Sequence, residues 1–159
     1  SYVYSNFSYC PLVWHCSSTK SKNSIENMQK RALKLFDDSH SLGDFKPGKS
    51  SMEVKRLRSL AIEIYKTLNH LNPNYMFEIF KPSENRSSER LKHNIASQRF
   101  KQVKFGKNSI RVLGPKLWNS LPNQIKSLPT LESFKNFMKT WGNKDCKYYD
   151  KYISYVQAI

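Results

Sequence analysis

The side chains best suited to metal or nucleophile chemistry are gathered in the opening stretch, SYCPLVWHC, of this 159-residue chain. Cys10, His15 and Cys16 lie there, and the remaining cysteine is Cys146. A structural zinc site needs about four ligands, usually as two closely spaced pairs, and no second pair accompanies this group. The apolar residues 12–14 instead favour a buried helix in which the sulfur atoms fill small spaces. The spacing therefore predicts neither a zinc site nor a Cys/His nucleophile.

A second group of reactive side chains is acidic. Asp37 and Asp38 are adjacent and Asp44 follows shortly after, so a two-metal carboxylate site of a nuclease is one interpretation. The surrounding turn residues favour a solvated loop at the end of a helix. A metal-dependent nuclease using these three aspartates stays open as an alternative. The histidines His40, His70 and His93 are isolated, and none has metal-ligand spacing.

Charge is the strongest compositional signal. The chain has 27 Lys and Arg against 12 Asp and Glu, a net charge of +15, and a pI near 9.8. Such a surplus predicts a polyanionic partner, because clustered cations gain binding energy by displacing counterions from phosphates. A membrane surface is the competing polyanion. The chain has no secretory signal and no long apolar run, and its few cysteines suit a reducing compartment, so we expect a soluble intracellular protein.

A first helix is predicted around NSIENMQKRALKLF. One face carries apolar residues at steps of three and four: Ile25, Met28, Ala32 and Leu35. A basic stripe repeats the same spacing on another face: Asn27, Lys30, Arg31 and Lys34. Glu26 and Lys30 are one turn apart and predict an ion pair. We expect this helix to end in the loop DDSHSLGDFKPGK.

A second helix is predicted from the capping box Ser50-Ser51-Met52-Glu53. Its apolar positions again step by three and four: Val54, Leu57, Ala61, Ile64, Leu68 and Leu71. This face indicates either packing inside the chain or a helical protein-interaction module that meets a partner helix. Asn72 is predicted to cap a short turn after Pro73 that holds Tyr75, Met76, Ile79 and Phe80.

Positive charge is concentrated between Glu89 and Glu132, which bracket 42 residues that hold nine Lys and Arg and no carboxylate. In this basic window aromatic residues alternate with cations, which suits contact with phosphates and stacking on bases. The candidate phosphate-binding residues are Arg99, Lys101, Lys104, Lys107, Arg111 and Lys116, and the candidate stacking residues are Phe100, Phe105 and Trp118. We expect this window to form the main phosphate contact.

The same window also permits a structural interpretation. Its apolar residues are spaced to form a hydrophobic anchor with lysines on the wet side: Val112, Leu113, Leu117, Trp118, Leu121 and Ile125. The segment RFKQVKFGKNSIRV predicts either a short β-hairpin turning at residues 106–108 or a helix from Ser109 to Trp118.

The last predicted helix is TLESFKNFMKTW. Thr130 is its cap, and Leu131, Phe134, Met138 and Trp141 share one face. The expected fold is mainly α: a small bundle of three to four helices with an irregular basic segment that includes, in one interpretation, a β-hairpin.

Five segments together carry a resemblance: SYCPLVWHC, IENMQKRALKL, RLRSLAIEIYKTLNHLNPNYM, SIRVLGPKLWNSLPNQIK and SFKNFMKTW. They resemble, in the same order, the carboxyl-terminal region of reverse transcriptases from jockey-like non-LTR (LINE-type) retrotransposons. The resemblance implies that residues 1–36 end the polymerase thumb and that a loop follows at 37–50. It further implies a helical part at 51–80, a polar linker at 81–94, a basic extension with the final helix at 95–141 and a tail at 142–159.

The resemblance implies a piece of an RNA-directed DNA polymerase that carries no catalytic motif of its own. Phe36-Asp37-Asp38 is not the Phe/Tyr-x-Asp-Asp turn of the palm, so no catalytic residue is carried over and no cofactor is expected here. The Mg²⁺ of such enzymes would belong to the palm. Cys146 alone follows Trp141-Gly142 where many relatives have a cysteine cluster, which indicates a decayed or truncated copy.

The partners expected from this resemblance are an RNA template or DNA target, bound through phosphates, and the fingers and palm of the same polypeptide. No membrane partner is expected. The expected location is a nuclear or cytoplasmic ribonucleoprotein. The predicted binding residues are those of the basic window, Arg99 to Lys116, together with Lys30, Arg31 and Lys34.

Overall fold

The computed structural model describes residues 17–38, 52–82, 93–98 and 109–141. These ranges form a mainly helical structure, which confirms the predicted fold class. Six helices follow one another: α1 (Thr19–Asp38), α2 (Met52–Leu68), α3 (Asn74–Phe77), α4 (Ile110–Ser120), α5 (Asn123–Lys126) and α6 (Leu131–Thr140). α3 and α5 are single turns, so four longer helices build the bundle. Within these ranges the sole β-type pairing is an isolated bridge between Pro82 and Ile95.

The chain divides into two compact units, Ser1–Arg56 and Leu57–Ile159. The first unit includes α1 and the start of α2. Ile25 of α1 is buried as predicted, but Met28 is 46% exposed, so that part of the predicted apolar face is wrong. α1 also continues through Asp37 and Asp38, which were expected to lie in a loop. The side chains of both aspartates, and that of Leu35, lie outside the described part of the structure.

The core of the second unit is built from one face of α2, one of α4 and one of α6. Three aromatic rings form its centre. Phe134 of α6 stacks on Tyr65 of α2 at a centroid distance of 4.5 Å and meets Trp118 of α4 at 5.9 Å. All three are almost completely buried, as are Leu57, Leu60, Ala61, Ile64, Leu117, Met138 and Trp141. The periodic apolar positions of α2 and α6 therefore pack inside this unit.

Each polar atom on these buried rings has a backbone partner. The Tyr65 hydroxyl donates to the carbonyl of Leu128, and the Trp118 indole N–H donates to the carbonyl of His93 at 2.8 Å. Asn119 exchanges two hydrogen bonds with the backbone of Ile95, each 3.0 Å long. Because an unmade hydrogen bond in a core costs about 1–3 kcal/mol, these contacts hold residues 93–95 against α4.

Two helix starts agree with the sequence. Thr130 caps α6 by accepting a hydrogen bond from the backbone N–H of Ser133. Ser109 caps α4 by accepting one from the N–H of Arg111. The helical alternative is therefore the one found from Ile110 onward, which removes residues 110–112 from the proposed hairpin. The remainder of that hairpin, like the capping serines Ser50 and Ser51 of α2, falls outside the described residues.

The end of α2 differs from its prediction. The helix ends at Leu68, and His70 adopts a left-handed conformation with φ of 56°. Leu71, expected on the apolar face, is therefore beyond the helix and 59% exposed. Asn72 does not cap α3; its amide donates to the carbonyl and carboxylate of Glu63 and to the hydroxyl of Thr67. Pro73 occupies the N-cap position of α3, without a side-chain cap, and the following Tyr75 is 69% exposed.

Gly114 marks a close approach between α4 and α3's following turn, and it yields a prediction. A Cβ at this position would lie 2.6 Å from Cε1 of Phe80, whose ring is buried, and 3.3 Å from Cδ1 of Ile64. We expect Gly114→Ala to lower the free energy of unfolding by about 1–2 kcal/mol. Overpacking costs about 1–3 kcal/mol, and the better helix propensity of alanine offsets up to about 1 kcal/mol of that. Urea denaturation measures the change.

The matched experiment places Gly114→Ala in a Phe80→Leu background. If the close approach is the cause, alanine costs less there than in the wild-type protein. Stabilisation by alanine in both backgrounds would show that helix propensity outweighs packing at this position.

Candidate nucleic-acid interface

The most extended polar surface of the described first unit is one face of α1. The predicted basic stripe is exposed along its whole length: Asn27, Lys30, Arg31 and Lys34. The face continues toward the N-terminus through Asn23 and Lys20, which are also exposed and were not predicted. Their helical spacing of three and four from Asn27 was visible in the sequence. We call these six residues the cationic face; from Lys20 to Lys34 it runs about 21 Å along the helix.

Glu26 lies beside this face but is engaged elsewhere. Its carboxylate accepts a hydrogen bond of 2.8 Å from the backbone N–H of Glu53, in the first turn of α2. The same carboxylate lies 3.8 Å from the guanidinium of Arg56. The predicted pair of Glu26 with Lys30 is therefore wrong. Because the negative charge is compensated by Arg56, the four cations of the cationic face remain a net positive surface.

Beside the cationic face lies a shallow polar cleft of about 400 Å³. Asn23, Asn27 and Lys30 form one wall, and Glu26 and Glu53 form the other. Lysine and arginine neutralise phosphates, while asparagine amides donate to phosphate oxygens or to base edges. This arrangement suits contact with a nucleic-acid backbone, whose charges repeat along its length.

The basic window is described only in part. Arg99, Lys101, Lys104, Lys107, Phe100 and Phe105 fall outside the described residues. Arg111 is exposed in the first turn of α4, whereas Lys116 is half-buried. Lys126 is only 7% exposed, and its ammonium donates to Oδ1 of Asn94 at 2.8 Å.

Trp118 is not a stacking platform for bases. It is 2% exposed, meets Phe134 and is hydrogen-bonded to the backbone of His93. Val112, Leu113, Leu117 and Leu121 are buried with it, so the hydrophobic-anchor interpretation of these residues is confirmed. Ile125 is half-buried. Aromatic residues interleaved with cations therefore serve the core in this helix.

The α2 face offered to a partner helix is also occupied internally. Leu57, Ala61 and Ile64 are at most 1% exposed within the chain itself. This burial favours the packing interpretation over a helical interaction module.

The candidate metal residues are mostly out of view. Cys10, His15, Cys16, His40, Asp44 and Cys146 fall outside the described residues. His70 stacks on Phe77 at 5.2 Å, and His93 binds Trp118 through its carbonyl. Across the described ranges, no three His, Cys, Asp or Glu side chains are grouped as metal ligands. A search of those ranges also finds no helix with the length and apolarity to cross a bilayer.

Comparison with known proteins gives no family assignment: no protein-family model, curated protein or solved structure matches this chain.

The position of Glu26 yields a prediction about the first unit. Arg56 is 5% exposed, and its Nε has no hydrogen-bond partner among the described residues, so Glu26 is its main compensation. We expect Glu26→Gln to lower stability by about 1–3 kcal/mol, because the amide can still accept from Glu53 but no longer compensates a buried charge. The same substitution at the exposed Glu132 is the matched control, and chemical denaturation is the measurement. Equal effects would contradict a specific role for the Glu26–Arg56 pair.

Proposed function

We propose that this chain is a non-catalytic, nucleic-acid-binding part of a retrotransposon RNA-directed DNA polymerase. In this proposal it belongs to the carboxyl-terminal, thumb and post-thumb region of a jockey-like non-LTR element. Its role is to hold the template-primer duplex, the element's RNA or the target DNA by their phosphates. The fingers and palm, with the Mg²⁺ of the polymerase, would precede it in the same polypeptide, and the enzyme would work in a nuclear or cytoplasmic ribonucleoprotein.

The cationic face of α1 is the observation that carries the binding part of this proposal. Four cations and two amides are exposed along one side of a 20-residue helix. The neighbouring carboxylate, Glu26, is compensated by Arg56. The net charge of +15 over the whole chain adds a long-range attraction for polyanions. Such a surface binds by charge and spacing, so we expect little dependence on base sequence.

The parent-enzyme part rests on the order of the five resembling segments. The described helices fit that order in one respect: the motif GPKLWNSLPNQIK forms a buried anchor, as a packing motif would. Its Gly114 permits the close approach of Phe80, and its Trp118 contacts the core of α6. The most specific of the resembling segments therefore has a structural use that does not depend on catalysis.

Salt dependence tests the cationic face. Binding of duplex or single-stranded nucleic acid should weaken by about 0.7–0.9 log units per log unit of salt for each phosphate neutralised. We expect Lys30→Gln, Arg31→Gln and Lys34→Gln together to flatten this slope by roughly two to three. Filter binding or fluorescence anisotropy across a salt series gives the slope.

The control removes three exposed lysines elsewhere, Lys81, Lys135 and Lys139. It changes the net charge equally and should flatten the slope much less. Equal slopes for the two triple variants would mean that only total charge matters. A third variant, with Lys101, Lys104, Lys107 and Arg111 changed to Gln, measures the share of the basic window, where full engagement predicts a change of roughly three to four.

The coding sequence upstream tests the parent enzyme separately from binding. We expect an in-frame palm with its Phe/Tyr-x-Asp-Asp turn before Ser1. Sequencing the transcript upstream measures this directly. An initiating Met a few codons before Ser1, with no polymerase preceding it, would overturn the parent-enzyme assignment while leaving the binding results intact.

A further inference from the structure

The second unit contains a cleft of about 510 Å³ that none of the roles above uses. The end of α2 forms one side, residues 82 and 93–95 form another, and α5 with the turn after it closes the cleft. This volume lies in the range of about 300–1,000 Å³ typical of small-ligand sites. The cleft is separate in the sequence from the cationic face of α1.

Lys126 gives the cleft its charge. It is 7% exposed, so its side chain is held in the unit rather than in solvent. It is also the sole Lys, Arg, Asp or Glu among the described residues that line the cleft. Its ammonium is fixed by donation to Oδ1 of Asn94, at 2.8 Å. An ammonium held in a cleft of low polarity attracts an anion strongly, because solvent screens it poorly there.

The remaining walls suit a flat ring. Pro82, Leu128 and Pro129 line the cleft with apolar surface, and Trp118 contributes to it from the core. Asn69 and Ser127 are exposed and place polar groups at the cleft. An apolar surface with a few polar groups is the usual pattern of a site that binds an aromatic ligand and fixes its orientation.

We propose that this cleft binds a nucleoside monophosphate, with the phosphate at the Lys126 ammonium and the base against the proline and leucine walls. A free nucleotide and the phosphorylated end of a strand present the same chemistry. The site goes beyond the proposed function, because it binds one nucleotide through a built cleft rather than many phosphates through a surface.

Calorimetric titration of the full chain with AMP tests the proposal. We expect a Kd tighter than about 1 mM for AMP, with inorganic phosphate and adenosine each binding at least about tenfold more weakly. Lys126→Met keeps the aliphatic stem and removes the charge, and it should weaken AMP binding by at least about tenfold. Lys135→Met, an exposed lysine of α6 that does not line the cleft, is the matched control and should bind as the wild type does.

A second variant keeps the test decisive if Lys126→Met fails to fold. Ser127 is exposed and its hydroxyl donates only to the nearby carbonyl of Gln124, so Ser127→Trp fills the cleft without entering the core. It should abolish AMP binding while leaving thermal unfolding unchanged. Absence of AMP binding by the wild type, or undiminished binding by both variants, would overturn the proposal.

Two short oligonucleotides separate the sources of the ligand. A dinucleotide with a 5′-phosphate that binds more tightly than AMP, and loses that advantage in Ser127→Trp, identifies a strand end. Equal or weaker binding of the dinucleotide identifies a free nucleotide. The triple variant of α1 should retain AMP binding in either case, so failure of the cleft and failure of the cationic face are distinguished.

Discussion

The second unit depends on the contact of Phe134 with Tyr65 and Trp118. These three rings come from α6, α2 and α4, so a single cluster joins the three long helices of that unit. Aromatic pairs contribute about 0.5–1.5 kcal/mol beyond the burial of their area. The polar atoms of Tyr65 and Trp118 are satisfied by the carbonyls of Leu128 and His93, which lie in connecting segments. The ring cluster thus fixes both the helices and the backbone between them.

The same constraint shapes the cleft. Trp118 must be buried for the helices to pack, and its hydrogen bond to His93 brings residues 93–95 alongside α4. Lys126 follows the anchor in sequence and is drawn inward with it, where it meets Asn94. A buried ammonium is therefore a consequence of how the core is assembled. Its placement in a cleft is what gives it a further chemical use.

The cationic face of α1 has a different origin. No packing requirement fixes its residues, because all six are exposed. Glu26, at the edge of the face, instead serves the fold by binding the start of α2 and the buried Arg56. Charge that serves structure and charge that serves binding are thus separated on one helix, within a single turn of each other.

The sequence by itself determined the helical class, the periodic cores of α2 and α6, the caps Ser109 and Thr130, and the exposed stripe of α1. These follow from local rules: the 3.6-residue period, side-chain capping and the preference of charge for water. Three features were decided only by tertiary structure. Glu26 chose Arg56 and a distant backbone N–H over the nearer Lys30, Asn72 closed the end of α2 instead of starting α3, and Trp118 and Lys126 were buried. Each depends on residues far apart in the chain, and spacing along one helix carries no information about which distant group will compensate a charge or cover a ring.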